Sequence, residues 1–188
     1  MTGMLSRRAV VASLGAMACG CALHTTAAVA AVPNLRTIPM AAHERAMHLA
    51  IVEARRNPVW PFGAVIVRAD NGEVCAKGVN SATANPILHG EIAAMQDYVR
   101  HHGNKGWNAV VLYTTAEPCS MCMSALVWAG IGGVVFGTSI AGLKHAAIDQ
   151  IDIPAKTVID ASPFYHGELL GGVLQAETDQ LFLRRKRA

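Results

Sequence analysis

The chain of 188 residues is 52% hydrophobic and 15% charged, enough apolar content for one buried domain and too much for a disordered polyion. Its formal charge of +3 falls to +1 without Arg7 and Arg8 of a removable front end, and to −3 for residues 31–183 once Arg184, Arg185, Lys186 and Arg187 are also set aside; that excludes a nucleic-acid surface built on net charge. Of five cysteines, Cys19 and Cys21 lie in the front end, and Cys75, Cys119 and Cys122 are an odd set whose close pair suits metal chemistry better than a disulfide framework.

Residues 1–30 have the layout of an export signal: a basic start, an apolar middle over 9–23, and Ala28, Val29 and Ala30 ahead of Ala31, with cleavage expected after Ala30. The run Ser6-Arg7-Arg8-Ala9-Val10-Val11 resembles the twin-arginine type, which usually has Phe and Leu where Ala9, Val10 and Val11 stand. A membrane anchor is the competing reading. The apolar run contains Ser13, Gly15 and Gly20 and falls short of the roughly 20 residues a bilayer span needs. A lipoprotein anchored at Cys19 or Cys21 lacks a Leu three positions before either cysteine.

In the remainder, Ala46, Met47, Ala50, Ile51 and Ala54 form one stripe, which predicts a helix over 44–56 stopped by Asn57 and Pro58. Residues 63–69 and 73–79 read as strands of a hairpin around Asp70-Asn71-Gly72. A loop over 80–88 precedes a helix over 89–102 ended by Gly103 and a buried strand over 109–114. A helix over 119–129 closed by Gly130 and a short strand over 133–137 complete a crossover with parallel neighbours. Residues 138–167 carry little periodic signal, and 173–182 read as a terminal helix. The expected architecture is a single mixed α/β domain over 31–188.

Two stretches carry chemistry: His89-Gly90-Glu91 and, after 26 intervening residues, Pro118-Cys119-Ser120-Met121-Cys122. Cys119 and Cys122, three apart at a helix start, share a face where the helix dipole favours thiolates. His89, also at a helix start, supplies an imidazole to the same spot if the two helices lie side by side. Three protein ligands leave a fourth tetrahedral position for water, the arrangement of a catalytic zinc. Glu91 is then a base and not a ligand, able to move protons between water and a ring nitrogen. The competing reading is a structural zinc knuckle completed by Cys75, His101, His102, His145 or His166.

These motifs resemble the cytidine and deoxycytidylate deaminase superfamily, specifically its branch of bacterial guanine deaminases and tRNA adenosine deaminases. The resemblance runs from about Glu44 to Leu183. It includes Pro61-Phe62-Gly63-Ala64-Val65, Gly78-Val79-Asn80, Leu112-Tyr113-Thr114-Thr115-Ala116-Glu117-Pro118-Cys119 and Val134-Val135-Phe136-Gly137. It implies a three-layer fold, a five-stranded sheet between helices, usually as a homodimer, with zinc as cofactor. Asn80 would hydrogen-bond the substrate ring, and Phe62 and the backbone near Ala64 and His89 would line the pocket. Gly90 stands where Ala is commoner, costing up to about 1 kcal/mol of helix propensity while making room near the metal.

Trp128 aligns with a Trp of the guanine deaminases and is expected either to stack on a planar base or to serve a core or dimer contact. The Asp that those enzymes carry after the fourth strand would fall near Gly142, where no carboxylate stands. Phe164, Tyr165 and His166 either close the pocket or cover the core, and Cys75 packs in its strand. The basic tail over 184–187 reads as a solvated helix end in preference to an RNA contact. The expected function is hydrolytic deamination of a purine base or nucleoside. The alternatives are a tRNA adenosine deaminase and a non-catalytic zinc-stabilised module. An exported protein with an acidic body implies a small-molecule substrate, no nucleic-acid partner and no stable membrane association after signal removal. The twin-arginine route carries folded proteins, which suits a zinc site loaded before export.

Overall fold

The computed structural model describes residues 32–187; the expected export signal over 1–30 lies outside them. The chain enters through a 3-10 turn, Leu35–Thr37, into α1 (Met40–Ala54). His43 Nε2 lies 2.9 Å from the Leu35 carbonyl, which can only accept, so its Nδ1 accepts from the Tyr113 hydroxyl, also at 2.9 Å. This buried relay ties the entry to the centre of the sheet.

Strands β1 (Gly63–Arg68), β2 (Val74–Val79), β3 (Val110–Ala116), β4 (Gly133–Thr138) and β5 (Glu168–Leu170) form one sheet in the order β2-β1-β3-β4-β5. β1 pairs antiparallel with β2 and β3, whereas β3, β4 and β5 run parallel. The β1–β2 turn matches its Asn-Gly signal: Gly72 takes φ 73°, and the Asn71 side chain accepts from Glu73 N–H at 2.9 Å.

Alternation along the strands divides the core between two faces. Val65, Val67, Val111, Tyr113 and Val135 meet α1 on one side. Ala64, Ile66, Leu112 and Val134 meet the other layer, built from α2 (Gly90–His102), α3 (Ser120–Ala129) and α5 (Ala155–Asp160). Met123 and Leu126 of α3 are wholly buried there, and truncating such a Leu to Ala costs about 2–5 kcal/mol. A third cluster gathers Ala116, Leu143, Ala146, Ile148 and Phe182, with Trp60 and Phe62 packed against it.

The stretch without periodic signal contains α4 (Ile140–His145) and α5, β5 follows just beyond it, and α6 (Gln175–Leu183) is the last helix among the described residues. Each of these short elements is held by contacts remote in sequence. Glu168 at the start of β5 accepts from Leu35 N–H at 2.7 Å, for instance. α1 begins four residues earlier than the apolar stripe indicated.

Candidate active site and metal centre

Both helices of the site start at a would-be ligand. His89 and Cys119 occupy the N-cap positions of α2 and α3 with extended backbones (ψ 164° and 166°), and neither side chain caps its own helix. Their donor atoms point at each other instead. His89 Nδ1 lies 3.6 Å from the Sγ of Cys119 and 3.6 Å from that of Cys122, one turn into α3. Among the described residues these three form the one group of metal-binding side chains, with donor atoms all within 4.8 Å of one another. Zinc bonds of about 2.3 Å to sulfur and 2.0–2.1 Å to nitrogen at tetrahedral angles require a nitrogen-to-sulfur edge of about 3.5 Å. Both nitrogen-to-sulfur edges match that length, so the donor set fits zinc.

The donor chemistry agrees. Hydrogen bonding from Cys122, aided by His89, lowers the Cys119 thiol to about 4, whereas the Cys119 sulfur and burial push Cys122 above the usual thiol range. The hydrogen bond to Cys119 raises His89. Without a cation the cluster must hold protons between its sulfurs, and a divalent ion removes that need.

Glu91 is 3% exposed, and burial pushes its carboxyl above the usual range. Its Oε1 accepts from the Thr114 hydroxyl of β3 at 3.0 Å, which fixes the carboxylate. A cavity of about 770 Å³ opens over His89, Glu91 and Cys119. The loops after α1 and β2 contribute Trp60, Phe62, Asn80, Ala82 and Thr83, and the stretch after α4 contributes Ile148, Asp149, Gln150 and Ile151.

Asn80 is buried with its placement over-determined. Its N–H donates to the Phe62 carbonyl, its own carbonyl accepts from the Asn57 amide, and its Oδ1 accepts from Ala82 N–H, at 2.9, 2.9 and 3.0 Å. That last bond orients the side-chain amide and leaves Nδ2 as its donor for a ligand. Gly78 and Gly90 allow this arrangement: a Cβ on Gly78 would stand 2.3 Å from Gly90 O and Ala94 N, and one on Gly90 would stand 2.7 Å from Phe62 O. Gly90 therefore makes room for the Phe62 carbonyl that holds Asn80, not for the metal as its position beside His89 suggested.

Phe62 and Asn80 reach the cavity; Trp128 and Ala64 do not. Ala64 is wholly buried in β1, paired with Gly78 and Thr114. Trp128 is 78% exposed near the end of α3, where its ring meets Phe164 at 5.2 Å over a separate surface hollow shared with Tyr165 and His166. The aromatic body facing the cavity beside Phe62 is Trp60, which hydrophobic periodicity passed over because it stands in an irregular Pro-rich loop. A carboxylate from the stretch after β4 does line the cavity: Asp149, seven residues beyond Gly142 and past α4.

Comparison with known proteins agrees with this geometry. Residues 40–138 match the profile described as the cytidine and deoxycytidylate deaminase zinc-binding region. A guanine deaminase of Bacillus subtilis (strain 168) is 32% identical over 130 residues, covering 65% of this chain and 81% of the relative. A tRNA-specific adenosine deaminase of Rickettsia felis is 29% identical over 143 residues, covering 75% and 94%. The solved guanine deaminase of Nitrosomonas europaea shares the fold at 21% identity, with a TM-score of 0.63 over 81% of this chain and 85% of that one. With a histidine and two cysteines set at zinc spacing above a buried glutamate, the chain belongs to the cytidine and deoxycytidylate deaminase family and is a zinc-dependent hydrolytic deaminase.

Proposed function

We propose that the protein deaminates a free purine base, with guanine as the leading substrate, and that Glu91 is its catalytic residue. The observation that carries this reading is the cavity, which brings the rings of Trp60 and Phe62 together with Glu91, His89 and Cys119 and has Asn80 and Asp149 among its polar contacts. His89, Cys119 and Cys122 would hold the zinc, which when bound would supply a Lewis acid able to bring a water's pKa down to about 7. Glu91 takes a proton from the attacking water and delivers it to the ring nitrogen beside the carbon that carries the amine. A second proton passed by Glu91 goes to the amine, which leaves as ammonia while the ring gains a carbonyl. Thr114 keeps the carboxylate in place through both transfers. The Asn80 amide donates to a ring acceptor. The Asp149 carboxylate accepts from an N–H and an adjacent amine, the pair that guanine presents and adenine lacks.

The likeness to tRNA adenosine deaminases supports a second reading, deamination of adenosine in RNA. The acidic body and a carboxylate at the cavity favour the free base. Ammonia release measured across guanine, adenine, guanosine, cytidine and an RNA stem-loop decides between them. Guanine is expected to give the highest kcat/KM, and faster turnover of the stem-loop overturns the assignment.

Export by the twin-arginine route also belongs to this proposal, on the strength of Arg7-Arg8 and Ala28-Val29-Ala30. Mass spectrometry of the native protein is expected to find an amino terminus near Ala31 outside the cytoplasm, and Met1 or Thr2 in the cytosolic fraction refutes it. A homodimer is a further part of this proposal: Trp128 and Phe164, two exposed rings in contact, are the surface it would cover. Sedimentation of Trp128→Ala as a monomer supports it, and an unchanged mass refutes it.

A further inference from the structure

The basic tail that sequence patterning assigned to solvent contains a residue with defined partners. Arg185 follows α6 directly. Its Nη1 donates to the Ala146 carbonyl at 3.0 Å and its Nη2 to the Ala147 carbonyl at 3.3 Å, while the guanidinium carbon stands 5.5 Å from the centre of the Trp60 ring. Next to it, Lys186 N–H donates to the Pro58 carbonyl at 2.8 Å, which fastens the tail to the loop that carries Trp60.

Those two carbonyls flank a constrained corner. Ala147 has φ 55°, a left-handed conformation that disfavours residues with a Cβ. The corner turns the chain out of α4 and into residues 148–151, which reach the cavity and include Asp149. The ends of this stretch are held from elsewhere: Glu117 accepts from Ile140 N–H through Oε2 and from Ala155 N–H through Oε1, both at 2.9 Å. Carbonyls just past a helix end need a donor from outside the helix, and at the corner the fork of Arg185 supplies it.

We propose that Arg185 is a positioning residue for the purine pocket. It joins Trp60 to the corner that presents Asp149, and so sets the spacing between ring contact and polar contact without touching substrate. An arginine is required, because a guanidinium lies flat on an indole while two of its nitrogens reach separate carbonyls, and a lysine ammonium has no such fork. The tail is therefore a strap on the site. The inference rests on the purine reading for its kinetic consequence alone.

The test compares Arg185→Lys and Arg185→Ala with Arg184→Ala and Arg187→Ala in the full chain. Both Arg185 variants are expected to retain one zinc per chain and to raise KM for guanine about tenfold, with kcat changed less than about threefold, because misplacing a substrate-binding group weakens binding before it disturbs proton transfer. Amide hydrogen exchange over 147–151 is expected to accelerate in these two variants and to stay at the wild-type rate in the controls. Wild-type KM in Arg185→Lys overturns the proposal, and so does a fall in melting temperature with KM unchanged. An equal rise of KM in Arg184→Ala or Arg187→Ala overturns it as well, since that reports the charge of the tail. If the wild type deaminates no purine, the purine reading fails separately, and the exchange rates alone decide whether the strap exists.

Discussion

The two ends of α3 carry side chains of equal promise in the sequence and opposite fates in the fold. At its start, Cys119 and Cys122 are buried and face His89 at 3.6 Å, at the spacing of a zinc site. Nine residues on, Trp128 stands 78% exposed against Phe164. A helix advances 1.5 Å per residue, so nine residues place the indole about 13 Å along the axis from the ligands, too far to stack on a base attacked beside them. Sequence proximity on a helix is thus no measure of proximity in a site. The ring contact falls to Trp60 and Phe62, from a loop that precedes Cys119 by more than fifty residues.

The sharpest way to separate the two ends is to remove the metal. Chelation, or Cys122→Ser, is expected to abolish turnover and lower the melting temperature, with activity returning to the chelated protein on adding zinc; elemental analysis and calorimetry check both. Next in size, Glu91→Ala is expected to keep about one zinc per chain while kcat falls about a hundred- to ten-thousandfold. An unchanged rate would remove the base from the mechanism. Asn80→Ala is expected to cost about 1–3 kcal/mol in kcat/KM, since it deletes an oriented donor at the cavity, with steady-state kinetics as the check. The smallest effect is expected at the far end, where Trp128→Ala should leave kcat and KM within about twofold because the ring touches no part of the cavity. A large rise in KM would show that the indole reaches an active site after all, from a second copy of the chain.

Much of this was legible before the structure, and for identifiable reasons. The hairpin, α2, α3 and the crossover to β4 announce themselves through local signals: Asn71-Gly72, Gly103, Gly130, and apolar runs of the right length. The candidate ligands and Glu91 were equally plain, because His89-Gly90-Glu91 and Cys119 to Cys122 each fall within one helical turn. The stretch over 138–167 was opaque. α5 buries only Ala155, and β5 just past that stretch is three half-buried residues at a sheet edge, so neither generates a pattern of its own. Ser139, which caps α4 by accepting from Gly142 N–H at 3.1 Å, was the one local signal available there.

The sequence by itself determined the reactive set, since spacing within a helix start dictates which side chains share a face whatever lies around them. It left the side-by-side placement of α2 and α3 as a condition, which the structure meets by packing both helices on one face of the sheet. Only the tertiary structure decided what surrounds that set: Trp60 in place of Trp128, Asp149 seven residues past Gly142, and Arg185 drawn from the tail onto Trp60. Arg185 itself touches Trp60 and the Ala146 and Ala147 carbonyls ahead of Asp149, and these residues come from loops and short elements whose positions are set by long-range contacts, through Glu117, Lys186 and the cluster around Phe182. No local pattern encodes them, because the free energy that places a loop resides in the partners it meets after the chain has closed.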